Sequence, residues 1–130
     1  PNSEALVLVE MLEDDQASVP LATVRRLAGL ERDIATAAME QDIGRVLFLG
    51  GGDDAAAADP VVQSTMCLGL RNLARENEST AAIAAAGGIA AVIGAMGRFE
   101  GDARVQWYGC MALGDLAYRN GETKAVIAAA

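Results

Sequence analysis

Three groups of residues in this chain have types and spacings that chemistry could use. The first is a pair of cysteines, Cys67 and Cys110, in a sequence that contains no histidine. Two thiols this far apart do not make a metal site, which needs three or four donors within reach of one ion. Without histidine, and without a nucleophile beside a base, hydrolytic machinery has nothing to be built from. No catalytic residue, metal or cofactor is therefore expected, and the chain is not expected to be an enzyme. The second group is Val46-Leu47-Phe48-Leu49-Gly50-Gly51-Gly52-Asp53-Asp54-Ala55. It has the form of a strand followed by a Gly-x-Gly-x-x-Ala loop, a pattern that cradles dinucleotide phosphates. Asp53 and Asp54 argue against that use, because they put two negative charges where a pyrophosphate would sit. The competing expectation is a mobile loop over residues 50–54.

The third group is Trp107, Met111, Asp115 and Tyr118. At about 100° per residue these side chains share one face of a helix. An upstream segment carries Ser64, Leu68, Asn72 and Arg75 at matching places, with Arg71 beside them, and a fainter one carries Leu21, Arg25, Gly29 and Arg32. Aromatic anchors and flexible methionine are the side chains that peptide-binding surfaces favour. Arg71 and Asn72 have the donors to hold the backbone or an acidic group of an extended peptide. The same stripe is also what ordinary packing under a neighbouring helix or loop looks like, and both readings stand at this point.

The elements that position these groups follow from composition and periodicity. The chain has 130 residues, of which 52% are hydrophobic and 22% charged, so a core can form and disorder is not expected. The hydrophobic residues are mostly Ala, Leu, Val and Ile, with only 4% aromatics, which suits closely packed helices better than an aromatic-rich sandwich. The net charge of −8 repels nucleic-acid phosphates and anionic membrane surfaces. Residues 1–54 hold eleven acids against four arginines, while 55–130 are close to balanced. That acidic half either favours basic partners or only keeps the surface hydrated. Two cysteines do not form a disulfide framework, so a reducing, intracellular and most naturally cytoplasmic setting is expected. No apolar run is long enough to span a bilayer.

The sequence repeats itself. Shifted by 43 positions, Val62-Gln63 matches Val105-Gln106, Cys67 matches Cys110, Leu70 matches Leu113, Leu73-Ala74 matches Leu116-Ala117 and Asn77 matches Asn120. One extra residue near Gly121 moves the register to 44, after which Ile83-Ala84-Ala85-Ala86 matches Ile127-Ala128-Ala129-Ala130. Upstream, Val19, Val24, Leu27 and Leu30 lie 43 before Val62, Cys67, Leu70 and Leu73. Ile43, Val46 and Leu47 lie 46 before Ile89, Val92 and Ile93, and residues 5–12 are a further copy of residues 89–96. Punctuation divides the period into three helices. Residues 78–86 form a short one ended by Gly87-Gly88, and residues 89–96 a second, closed by the loop of Gly97, Gly101 and Asp102. Residues 103–118 form a longer third. In the preceding period the third helix starts at Asp59-Pro60, with Asp as cap and Pro at the first helical position.

A period in the forties built of three helices resembles the armadillo repeat. The resemblance is carried by Val62-Gln63, Leu70-Arg71-Asn72-Leu73-Ala74, Asn77-Glu78 and Ile83-Ala84-Ala85-Ala86-Gly87-Gly88-Ile89, then by Val105-Gln106 and Ala112-Leu113-Gly114-Asp115-Leu116-Ala117. It implies an all-α, right-handed superhelix of three-helix repeats, with third helices lining a concave groove. The divisions are a partial repeat over 1–30 (second and third helices), full repeats over 31–77 and 78–120, and the first helix of a further repeat over 121–130. A chain that opens on a second helix and closes after a first one reads as an excerpt of a longer array. Its uncovered ends, residues 5–12 and 126–130, are then expected to self-associate.

The resemblance implies a scaffold that binds a peptide segment of a protein partner in the groove, through Arg25, Leu68, Arg71, Asn72, Trp107, Met111, Asp115 and Tyr118. Alternatives are a structural element of a cytoskeletal or axonemal assembly, and a targeting module of a larger protein. The Trp-x-x-x-Asn pairs by which nuclear-import adaptors of this family hold basic signals are replaced here by Arg25 and Gly29, Leu68 and Asn72, and Met111 and Asp115, so that role is disfavoured. Val62, Cys67, Leu70 and Leu73, with Val105, Cys110, Leu113 and Leu116, are expected to form the stacked core. Both cysteines are then buried free thiols, because helix axes about 8–10 Å apart are too distant for a bridge.

Overall fold

A computed structural model of the protein describes residues 21–51, 54–77, 79–119 and 128–129. Among the described residues seven helices carry the fold: α1 Leu21–Met39, α2 Ile43–Gly51, α3 Asp54–Ala57, α4 Pro60–Asn77, α5 Thr80–Ala85, α6 Gly88–Arg98 and α7 Ala103–Arg119. The same residues include no strand. The all-α class is as expected. The repeat copy over residues 5–12 and most of residues 121–130 lie outside the described residues.

Aspartates start three of these helices. Asp59 Oδ1 accepts from the backbone N–H groups of Val61 and Val62 at 2.8 and 3.0 Å, and Pro60 takes the first helical position of α4. Asp102 Oδ1 accepts from Val105 N–H at 3.0 Å ahead of α7, and Asp42 Oδ1 from Arg45 N–H at 3.0 Å ahead of α2. Each cap satisfies donors that a helix leaves unpaired in its first turn. Gly87 separates α5 from α6 with φ at 91°, a left-handed backbone that glycine adopts without a Cβ clash. Gln41 does the same work between α1 and α2 at φ 61°, where its N–H reaches Ala38 O and that of Asp42 reaches Ala37 O.

Two boundaries differ from the sequence reading. The division placed between residues 30 and 31 falls inside α1, which runs unbroken for 19 residues. The reason is local: Glu31 to Met39 contains neither Gly nor Pro, and most of its residues favour helix. Residues 46–49 are helical, as their match to the second helix of the next repeat implies, but Gly50 and Gly51 continue α2 instead of opening a loop. The dinucleotide-loop reading loses its strand; of the loop expected over 50–54, Gly50, Gly51 and Asp54 are helical, and Gly52 and Asp53 lie outside the described residues.

The core sits around α4, which packs against each of the other described helices, most extensively α7 and α1. Val62, Cys67, Leu70 and Leu73 are buried as expected, together with Ile34, Val46, Ile83, Val92, Val105 and Leu116. The apolar face of α4 is therefore enclosed on several sides, which supplies most of the driving force for its position. α7 differs. Val105 and Leu116 are buried, Leu113 is half-buried, and Cys110 is exposed. The expectation of two buried thiols is corrected at Cys110: among the described residues no further helix closes on its side of α7.

Two glutamines 43 residues apart make the same contact. Gln63 Nε2 donates to Gly50 O at 2.7 Å and Ala56 O at 3.0 Å. Gln106 Nε2 donates to Met96 O at 2.8 Å and Phe99 O at 2.9 Å. Each side-chain amide ties the start of a long helix to carbonyls near the ends of the segments before it; Ala56 O and Phe99 O also accept from the backbone N–H groups of Asp59 and Asp102. Gln63 is buried, so Gln63→Ala removes two buried hydrogen bonds, although Ala56 O keeps its bond from Asp59 N–H, and is expected to cost about 1–3 kcal/mol. Denaturant melts measure it, and an unchanged midpoint would mean that water takes over the amide's place.

Candidate interaction face

Trp107, Met111, Asp115 and Tyr118 do share one broad side of α7. Trp107 is 68% and Tyr118 87% exposed, while Met111 and Asp115 are half-buried. A large indole left in water on a helix that otherwise packs well is an uncommon disposition for an apolar ring. Met111 and Trp107 border a cleft of about 280 Å³ with Ala103, Arg104 and Tyr108. Arg104 is exposed, and a long cationic side chain beside such a cleft can cover apolar surface with its stem while its charge stays wet. The lining is apolar with one cation and no carboxylate, so it suits an aliphatic or aromatic side chain.

The upstream half of the expected face divides differently. Leu68 and Asn72 line a cleft of about 270 Å³ between α1 and α4, with Ala35, Ala38, Met39 and Thr65. Gly69 sets how close these helices come: a Cβ built there would lie 3.3 Å from Ala38 Cβ. Ser64, assigned to the open face by its spacing, is buried, and its hydroxyl donates to Val61 O at 2.9 Å. That position is corrected from open face to packing. Arg25 is exposed on α1, and neither it nor Tyr118 lines either cleft.

Arg71 and Asp115 stand between the two clefts and are engaged with each other. Arg71 Nε lies 3.5 Å from Asp115 Oδ2, and Arg71 Nη1 donates to Asn72 Oδ1 at 3.1 Å. The Nε contact is an ion pair without hydrogen-bond alignment, since this nitrogen has no hydrogen-bond acceptor. With Asp115 a third exposed, water screens the pair and its contribution to stability is small. It marks one point of contact between α4 and α7, whose packing is extensive. A partner carboxylate that sought Arg71 would have to displace Asp115.

Sequence reasoning missed Arg104, Tyr108, Thr65 and Met39 as lining residues. Tyr108 and Thr65 occupy the same repeat position, 43 apart, and their shared place beside Leu68 and Met111 was the available signal. Among the described residues no group of three or more Cys, Asp or Glu is placed to hold a metal ion, and no helix is long and apolar enough to cross a membrane. The fold and face together define an all-helical protein with two shallow, mainly apolar clefts on its long helices. No family model, curated protein or solved structure matches the chain.

Proposed function

We propose that this protein is an armadillo-type repeat scaffold, a non-enzyme that binds a peptide segment of a protein partner along its long helices. Exposed Trp107 beside Met111 and the α7 cleft carries the reading. Aromatic side chains of this kind supply much of the affinity of protein interfaces when a partner covers them. The succession of α1, α4 and α7 supports the repeat architecture, as do the matching roles of Gln63 and Gln106. Such a scaffold needs no cofactor, and its acidic surface disfavours nucleic acid. The second reading, an element of a fixed cytoskeletal or axonemal assembly, is favoured by one observation: Phe48 on α2 is 72% exposed, away from both clefts.

Trp107 is the chain's only tryptophan, so its fluorescence reports on the face directly. Peptides selected from a random display library against the intact chain are expected to blue-shift that emission and shield it from acrylamide. Met111→Ala should weaken them by about tenfold, the loss of one well-packed anchor contact. Phe48→Ala should leave them unchanged. Selected peptides that bind tightly without altering Trp107 quenching would refute the reading, and sensitivity to Phe48→Ala alone would favour the fixed-assembly alternative.

A further inference from the structure

The charge of this chain is divided by element. Each long helix carries one more arginine than acid: Arg25, Arg26 and Arg32 against Glu31 and Asp33 on α1, Arg71 and Arg75 against Glu76 on α4, and Arg104 and Arg119 against Asp115 on α7. The rest of the chain holds three bases against fourteen acids, in a total of −8. Part of that acidity has a structural reason, since Asp42, Asp59 and Asp102 cap helix starts. Arg75 has one as well, because it lies in the last turn of α4, where a cation suits the helix dipole. Arg104 has none of this kind. It is the second residue of α7, the end at which the dipole disfavours a cation.

Arg104 is thus placed against the preference of its own helix, and it lines the cleft with Trp107 and Met111. It is exposed, and among the described residues no carboxylate pairs with it. The acid nearest in sequence, Asp102, has its Oδ1 on Val105 N–H at 3.0 Å. Arg75, one turn beyond Asn72 on α4, is likewise exposed and without an ion pair among the described residues. Arg71 differs, since Asp115 already answers it at 3.5 Å. The carboxylate that stands between the two clefts is therefore spent inside the chain, while cations beside them are not.

We infer that the peptide partner of this face is acidic: an aliphatic or aromatic anchor enters the α7 cleft, a carboxylate beside the anchor pairs with Arg104, and a further one reaches Arg75. This rests on the peptide-binding reading of the clefts and supplies the chemical class of the partner. Unpaired cations at an apolar cleft that has no carboxylate in its lining complement an anionic segment and repel a basic one. The acids elsewhere in the chain oppose such a segment at long range. At 0.1 M salt, however, exposed charges more than about 10 Å apart are largely screened, so the arginines in contact with the peptide decide the sign.

The test is selection of peptides from a random display library on the intact chain at about 0.1 M salt. Selected peptides should hold an excess of Asp and Glu around an aromatic or aliphatic residue, shield Trp107 from acrylamide, and bind less tightly at about 1 M salt, where screening reaches down to about 3 Å. Arg104→Glu should weaken them by about tenfold or more, since it replaces an attraction by a repulsion. The same change should leave the chain at least as stable to urea, because a carboxylate suits the first turn of α7. Arg75→Gln should weaken them by about two- to fivefold, the worth of one exposed pair. Arg45→Gln, which removes the same charge from the exposed side of α2, should change nothing. Peptides that shield Trp107 but show no acidic excess, or that bind Arg104→Glu as tightly as wild type, overturn the acidic class and leave the cleft reading standing. Acidic peptides that leave Trp107 quenching unchanged overturn both, as does a selection that yields no peptide. A poly-dT oligonucleotide that binds as tightly as the peptides overturns the proposal too, since the face then takes any polyanion.

Discussion

Gly50→Met is expected to destabilise the protein by about 1–3 kcal/mol, and adding Met66→Gly to that chain should restore most of the loss. The reason is a contact made twice with its sides exchanged. On α2, a Cβ added at Gly50 would lie 2.6 Å from Met66 Sδ and 3.2 Å from Met66 Cβ on α4. On α7, a Cβ added at Gly109 would lie 2.5 Å from the Cγ and Sδ of Met96 on α6. Gly50 corresponds to Met96 and Met66 to Gly109, at the offsets of 46 and 43 that the repeats show. One methionine fills the space between the second and third helices in each case, donated from opposite sides. Gln63 and Gln106 establish the correspondence independently, since they bond the carbonyls of Gly50 and Met96. Two methionines in that space overpack it. Two glycines leave a void, and Met66→Gly alone should cost about 2–5 kcal/mol by cavity formation and helix weakening. Urea melts of the four chains give the coupling. If the double variant loses the sum of the single losses, the two positions do not share one space.

The second large effect is expected in thiol chemistry. Burial pushes the Cys67 thiol up to about 12, from an ordinary value of 9.0. At pH 8 its thiolate fraction is on the order of one in ten thousand, and the thiolate is the species that reacts. Cys110 is exposed on α7. A maleimide or disulfide reagent should therefore label one site rapidly in the folded chain and the second only after denaturation, with mass spectrometry locating the first label at Cys110. Equal labelling rates at both sites would mean that the packing of α4 opens readily. The same burial makes stability depend on alkaline pH. Above 9 the unfolded chain releases a proton that folded Cys67 retains, so stability is fully present below 9 and declines as pH rises towards 12. Cys67→Ala should remove that part of the decline.

The sequence disclosed what local chemistry decides. Asp59-Pro60 announced the start of α4, and Gly87 announced the break between α5 and α6, because caps and left-handed glycines act within a turn of chain. The 43-residue offset paired Gln63 with Gln106 before their common role was visible. What stayed hidden depends on neighbours. Cys67 and Cys110 have matching places in sequence, yet one is enclosed by α4's surroundings and the other is open. Gly50 and Gly51 read as a loop because glycine weakens helices, but Gly50 is helical and leaves room for Met66. The Arg71–Asp115 pair joins residues 44 apart, and no local pattern specifies it. On the candidate face, the aromatic stripe of α7 was legible, whereas its separation from the Leu68–Asn72 cleft was not, since it depends on how closely α1 approaches α4. The exchange of Gly and Met between repeats was legible in principle, in the positions that differ rather than in those that agree.

α4 touches every other described helix, whereas α1 and α7 meet chiefly through it. That arrangement bears on cooperativity. The segments before and after α4 contribute to the same buried side chains, among them Leu70 and Leu73, so neither can lose its order without uncovering part of the other's core. α4 is thus the element through which opening at one end is felt at the other, and the chain does not divide there into two independently folding halves.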